Sequence, residues 1–75
     1  MEISLERLRI GQRGIVTCMD VGAAMQNRLQ AYGLVPGTGV CCRYRTPDGS
    51  VTALELRGTV IALRRHDMRR IRVRC

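Results

Sequence analysis

Five side chains in this 75-residue chain could hold a soft metal or do redox chemistry: Cys18, Cys41, Cys42, Cys75 and His66. A zinc or iron–sulfur site needs several thiolates and imidazoles converging at fixed distances. The spacing does not supply that. There is no C-x-x-C pair, and the adjacent Cys41 and Cys42 would face opposite sides of a strand. Cys18, Cys75 and His66 could join them only by accident of the fold. No metal and no cofactor are expected, and the thiols read as small hydrophobes or surface groups.

The residues for other chemistry are equally dispersed. His66 stands beside Asp67, but sequence neighbours of this kind point apart more often than they pair. The glycines of "GQRG" (11–14) lack the spacing and the Lys-Ser/Thr of a phosphate loop. The six acidic residues are scattered, with no pair placed to hold a cation. A non-enzymatic protein is expected.

All thirteen basic residues are arginine, and the net charge is +7. Such a surface suits an anionic partner or simply keeps the chain soluble. Aromatic side chains are nearly absent: Tyr32 and Tyr44 are the only two. That argues against a proline-rich ligand, which needs an aromatic-lined groove, and against stacking on single-stranded nucleic acid. Arginine-to-phosphate binding without stacking stays open. The N-terminal "MEISLERLRI" has no apolar core, and no apolar run approaches the roughly 20 residues of a membrane span. A cytoplasmic location with reduced thiols is expected.

The elements that would position these groups are short. "SLERL" (4–8) suggests a helical turn capped by Ser4. "IVTCM" (15–19) reads as the first strand. Asp20 and Gly22 open a helix on which Met25, Leu29 and Tyr32 form one apolar stripe, expected to face the core. "VCCRYR" (40–45) is a second strand, "TPDGS" (46–50) a hairpin loop, and "VTALELR" (51–57) a third strand with Leu54 and Leu56 on one face. Gly58 permits a tight turn into "TVIALRR" (59–65). "HDMRR" (66–70) is one helical turn, and "IRVRC" (71–75) alternates with Ile71, Val73 and Cys75 inward. Five short strands and one helix point to a mainly β fold, a small barrel forming a single domain over 1–75.

The stretch "RLQAYGLVPGTGV" (28–40) is the most informative. Gly33 is placed to end the helix in the left-handed conformation, with Leu34 and Leu29 at the two positions that meet across such a cap. Val35-Pro36-Gly37-Thr38 then suits a type II turn, because proline presets a negative φ and glycine accepts a positive one. The segment builds a rigid corner between helix and strand.

These residues carry a resemblance. From "LERLRIGQRGIV" through "RLQAYGLVPGTGV" to "GTVIALRRHDMRRIRV", the chain resembles the bacterial ferrous-iron-transport protein A (FeoA-like) family. The helix-Gly-Leu-x-Pro-Gly corner is the most specific part, and the "ALRR" strand end with its final alternating strand is the second signature. The cysteines are outside the pattern. The resemblance implies an SH3-like barrel with an inserted helix and a non-enzymatic accessory role. The partner it implies is a FeoB-like membrane GTPase and ferrous-iron permease, approached from the cytoplasmic side by a monomer peripheral to the membrane. The same domain type also ends metal-dependent transcriptional regulators. Here the sequence begins at the barrel, so the free-standing reading is preferred. A basic barrel binding nucleic acid, or a metal-sensing accessory domain of the regulator type, are the alternatives. For partner contact the residues chosen are Arg28 on the helix flank, Leu34 and Pro36 at the corner, Arg43 and Arg45 on the second strand, and Arg64 and Arg65 at the "ALRR" strand end.

Overall fold

A computed structural model describes all residues, Met1–Cys75. Six strands form one antiparallel sheet: β1 (Glu2–Ser4), β2 (Arg13–Met19), β3 (Gly39–Arg45), β4 (Val51–Leu56), β5 (Thr59–Arg64) and β6 (Ile71–Arg74). Their order across the sheet is β1-β6-β2-β3-β4-β5. Helix α1 (Ala23–Ala31) is inserted between β2 and β3, and the short α2 (Arg65–Met68) joins β5 to β6.

The sheet curls because one face carries the apolar side chains of five strands, and a single core must receive them all. Val16, Val40, Cys42, Leu54, Leu56, Ile61, Leu63, Ile71 and Val73 meet there, with Leu5, Leu8, Leu29, Leu34 and Met68 from the turns and helices. Strict alternation along β4 (Thr52, Leu54 and Leu56 buried) and β6 (Ile71 and Val73 buried) gives this face its apolar character. The register between β3 and β4 slips between Cys42 and Tyr44. Beyond that bulge Tyr44 turns outward, although strict alternation from Val40 and Cys42 would have sent it to the core.

The expected elements are present, with four differences. First, there are six strands and not five, because Glu2–Ser4 pairs with Ile71–Arg74 at the sheet edge. Three residues of mixed polarity are too short to show a period. Second, Ser4 does precede the turn Leu5–Arg7, but its hydroxyl does not cap it. It donates instead to the carbonyls of Met68 and Arg69, 3.3 Å away in each case. Third, Tyr32 is 49% exposed and outside the core. The helix stripe buries Leu29, half-buries Met25, and then runs out over a groove, while Leu34 fills the core beneath. Fourth, Cys75 is exposed because β6 ends at Arg74.

Candidate partner-binding surface

The corner comes first, since it fixes where the helix lies. Gly33 has φ +88°, and its N–H donates to the Gln30 carbonyl at 2.9 Å. The Leu34 N–H reaches back to the Leu29 carbonyl at 2.8 Å. These two bonds, with Leu29 and Leu34 both in the core, make a Schellman cap complete with its apolar contact. Gly37 follows at φ +96°, and the Thr38 N–H donates to the Val35 carbonyl at 3.0 Å, closing the turn. The buried Thr38 hydroxyl accepts the Val35 N–H at 3.2 Å and donates to the Gly33 carbonyl at 2.8 Å. The Gly37 N–H donates to Val16 O at 2.7 Å, and the Val16 N–H to Thr38 O at 2.9 Å, stitching the corner to β2.

The residues chosen from the sequence fall into three groups. Leu34 is fully buried, so its side chain offers a partner no surface and serves the cap alone. Pro36 is exposed at the tip of the corner. Arg45 and Arg65 are already engaged by other groups of the chain. Arg45 donates from Nε to Thr52 Oγ1 at 3.0 Å and from Nη2 to the Leu8 carbonyl at 2.7 Å. Arg65 donates from Nη2 to the Asp48 carbonyl at 2.6 Å and from Nε to the Gly49 carbonyl at 3.2 Å. Arg43 is paired with Glu55 at 3.1 Å on the surface. Arg28 and Arg64 are exposed, without a carboxylate in salt-bridge range.

Arg28 and Arg64 stand on opposite walls of one groove. It has a volume of about 720 Å³ and runs between α1 and β5. Tyr32 and Met25 line its helix side, Val60 and Ala62 its strand side, and Asp67 is its one carboxylate. Val60 is 60% exposed there. The helical spacing of Tyr32 with Met25 and Leu29 points to the core, so the stripe gives no sign of this groove. The exposed Val60, in a strand whose centre is almost wholly apolar, was the available signal.

A second, more open groove of about 820 Å³ crosses the outer face of the sheet. Arg13, Arg57 and Arg74 line it, with Met1, Cys41 and Cys75. Gly39 lines it too, exposed and with open space where a side chain would otherwise stand.

The thiols do not gather. Cys18 and Cys75 are exposed, Cys41 and Cys42 buried, and Cys42 alone belongs to the core cluster. Burial pushes the Cys42 thiol up; the nearby Arg45 guanidinium opposes this, and the Cys41 thiol adds to it. No three His, Cys, Asp or Glu side chains lie close enough together to hold a metal ion. His66 is exposed and makes no side-chain hydrogen bond. No helix is long and apolar enough to cross a membrane.

The sheet order, the inserted helix and the capped corner can now be set beside known proteins. The FeoA domain model matches residues 3–75. The chain belongs to the FeoA family. Among solved structures, the Chlorobium tepidum FeoA protein is 28% identical, with a TM-score of 0.91, covering 96% of this chain and 69% of that one. The Stenotrophomonas maltophilia FeoA, solved with zinc, is 27% identical with a TM-score of 0.79, covering 95% of this chain and 88% of that one. That protein is described as a prokaryotic SH3 domain protein and has been put forward as a ferrous-iron-transport activating factor. This chain shares its SH3-like fold. A manganese-dependent transcriptional repressor also contains the fold, at 16% identity and a TM-score of 0.84, over 96% of this chain but 40% of its own. That likeness concerns the fold alone. No curated protein sequence gives a significant match.

Proposed function

We propose that this FeoA protein is a non-enzymatic accessory of ferrous-iron uptake that docks on the cytoplasmic face of a membrane GTPase and iron permease. The observation carrying this reading is the family match over residues 3–75. The surface supports it: unpaired Arg28 and Arg64 flank a groove that also carries Met25, Val60 and Ala62, a combination suited to a protein partner with an acidic rim. Iron in this reading is the transporter's cargo, and the FeoA chain acts through contact.

The test is ferrous-iron uptake and co-purification of the transporter in a deletion strain complemented with wild type or variants. Deletion should lower uptake while the transporter is still made. Arg64→Glu should weaken co-purification, most at low ionic strength, since rim charges govern encounter and salt dependence. Arg65→Glu should instead loosen the 46–50 loop, whose carbonyls it holds. Normal uptake in the deletion strain, with tight nucleic-acid binding at physiological salt, would transfer the assignment to a basic nucleic-acid-binding barrel.

A further inference from the structure

β5 is an edge strand, bonded to β4 on one side only. Its register places Thr59 opposite Leu56, Ile61 opposite Leu54, and Leu63 opposite Thr52. Arg57 and Gly58 form the two-residue turn, with φ of +50° and +77°, the signs of a type I′ hairpin. In such a hairpin the flanking pair, Leu56 and Thr59, is hydrogen-bonded, and bonded pairs then alternate with non-bonded ones. Val60 and Ala62 fall on the non-bonded positions. Their N–H and C=O groups therefore point away from β4, and no turn, loop or cap bond engages them.

An open edge of this kind is a template for another strand. Proteins usually blunt it with a proline, an inward charge or a covering element. Here the centre of β5 is Val-Ile-Ala-Leu, and the helix that could cover it stands off across a groove of about 720 Å³. The helix wall offers Met25 and Tyr32 to apolar side chains. Charge selects among possible strands. Arg28 on one wall and Arg64 on the other are without carboxylate partners, against Asp67 alone, on a chain of net charge +7. A second copy would bring the same arginines to the same edge, and like charges oppose that pairing.

We propose that the groove between α1 and β5 takes an extended, acidic segment of a partner protein, added to the free edge of β5 as a further strand. Backbone bonds to Val60 and Ala62 hold the segment in register. Its apolar side chains meet Met25 and Tyr32, and its carboxylates meet Arg28 and Arg64. This is strand addition, in which the main chain supplies affinity and alternate side chains supply specificity. It goes beyond the iron-uptake reading and does not rest on it. A failed uptake assay leaves it standing, and a failed titration leaves the uptake reading standing.

The experiment is an amide chemical-shift titration of the whole chain with capped ten-residue peptides. The first alternates Val or Thr with Glu, the second has Lys for every Glu, and the third is the acidic peptide N-methylated at alternate backbone positions. The acidic peptide should shift the amides of Val60 and Ala62 and slow their exchange. The Lys peptide and the N-methylated peptide should each bind at least tenfold more weakly. Ala62→Pro removes an outward N–H while leaving the β4 ladder bonds, and should also weaken binding at least tenfold with its fold confirmed by thermal melting. If that variant does not fold, the N-methylated peptide on the wild type decides. Equal binding of the N-methylated peptide, shifts confined to the Arg13, Arg57 and Arg74 groove, or no shift at millimolar peptide would each overturn the proposal. So would dimerisation through β5, seen by sedimentation and lost in Ala62→Pro.

Discussion

Two of the turns that reverse this chain are held by opposite means. The 33–38 corner is fixed by buried groups: Leu34 in the core, the Thr38 hydroxyl bridging Gly33 and Val35, and backbone bonds to β2. The 46–50 loop is fixed by exposed polar groups around one carboxylate. Asp48 Oδ1 accepts the Ser50 N–H at 3.0 Å, the Ser50 hydroxyl at 2.8 Å and the Thr46 hydroxyl at 2.8 Å, and Arg65 clasps the loop from outside. Each turn is well bonded. The Thr38 side chain is buried and the Asp48 side chain is exposed, so a bond lost at the corner is less readily replaced by water than one lost at Asp48. The corner should therefore matter to global stability, and the loop to local order.

The largest effect should come from Leu34→Ala. Removing a fully buried leucine side chain costs about 2–5 kcal/mol. Thermal or urea unfolding measures it, and a loss below about 1 kcal/mol would break the contrast between the turns. Next, Gly33→Val should cost about 1–3 kcal/mol, because a β-branched residue is strained at φ +88°. Space is not the cause, since an added Cβ would meet only the flexible Arg57 side chain, its Cδ nearest at 3.3 Å. Gly33→Asn, which tolerates the left-handed region better, should cost less, and equal losses would rule out backbone strain.

Thr38→Val sharpens the comparison further. It keeps the shape of the side chain and removes both hydroxyl bonds, leaving the Val35 N–H short of an acceptor. About 1–3 kcal/mol should be lost in the same unfolding assay. The smallest effect belongs to the loop. The hydrogen bonds from Ser50 and Thr46 hold the Asp48 carboxyl down at about 2, from an ordinary 3.8. A depressed folded pKa gives stability that is complete above about 3.8 and is lost as pH falls through about 2. Amide exchange at Gly49 and Ser50 should therefore be unaffected by this carboxyl from pH 8 to 4 and rise below that. Asp48→Asn should flatten this dependence. The corner amides should show none of it.

Both turns were legible in the sequence, because turn chemistry is local. Gly33, Pro36-Gly37 and Asp48-Gly49 declare their backbone needs within four residues. Strands with strict alternation, such as Ile71 to Arg74, were equally plain. What stayed hidden depends on distant partners. Arg45 and Arg65 look like surface charges until Leu8 and Asp48 are brought to them across the fold. Tyr32 has the spacing of a core residue, and only the position of α1 relative to β5 puts it on a groove wall. β1 is three residues whose sole reason for being a strand is β6. The bulge at Cys42–Tyr44 likewise reverses the face of Tyr44 without any local mark.

The pairing of β1 with β6 has a consequence in time. β6 lies between β1 and β2, so the strand made after the other five is interior to their sheet. Glu2 and Arg74 must find each other across nearly the whole chain, and closing so long a loop loses entropy before contacts form. The hairpin of β4 and β5 and the corner can form early from local contacts. The sheet cannot close until residue 74 has left the ribosome. Folding should be slow for a domain of this size, as it is where distant strands must pair. A nascent chain stalled before Ile71 should hold hairpin-like order without a protected core.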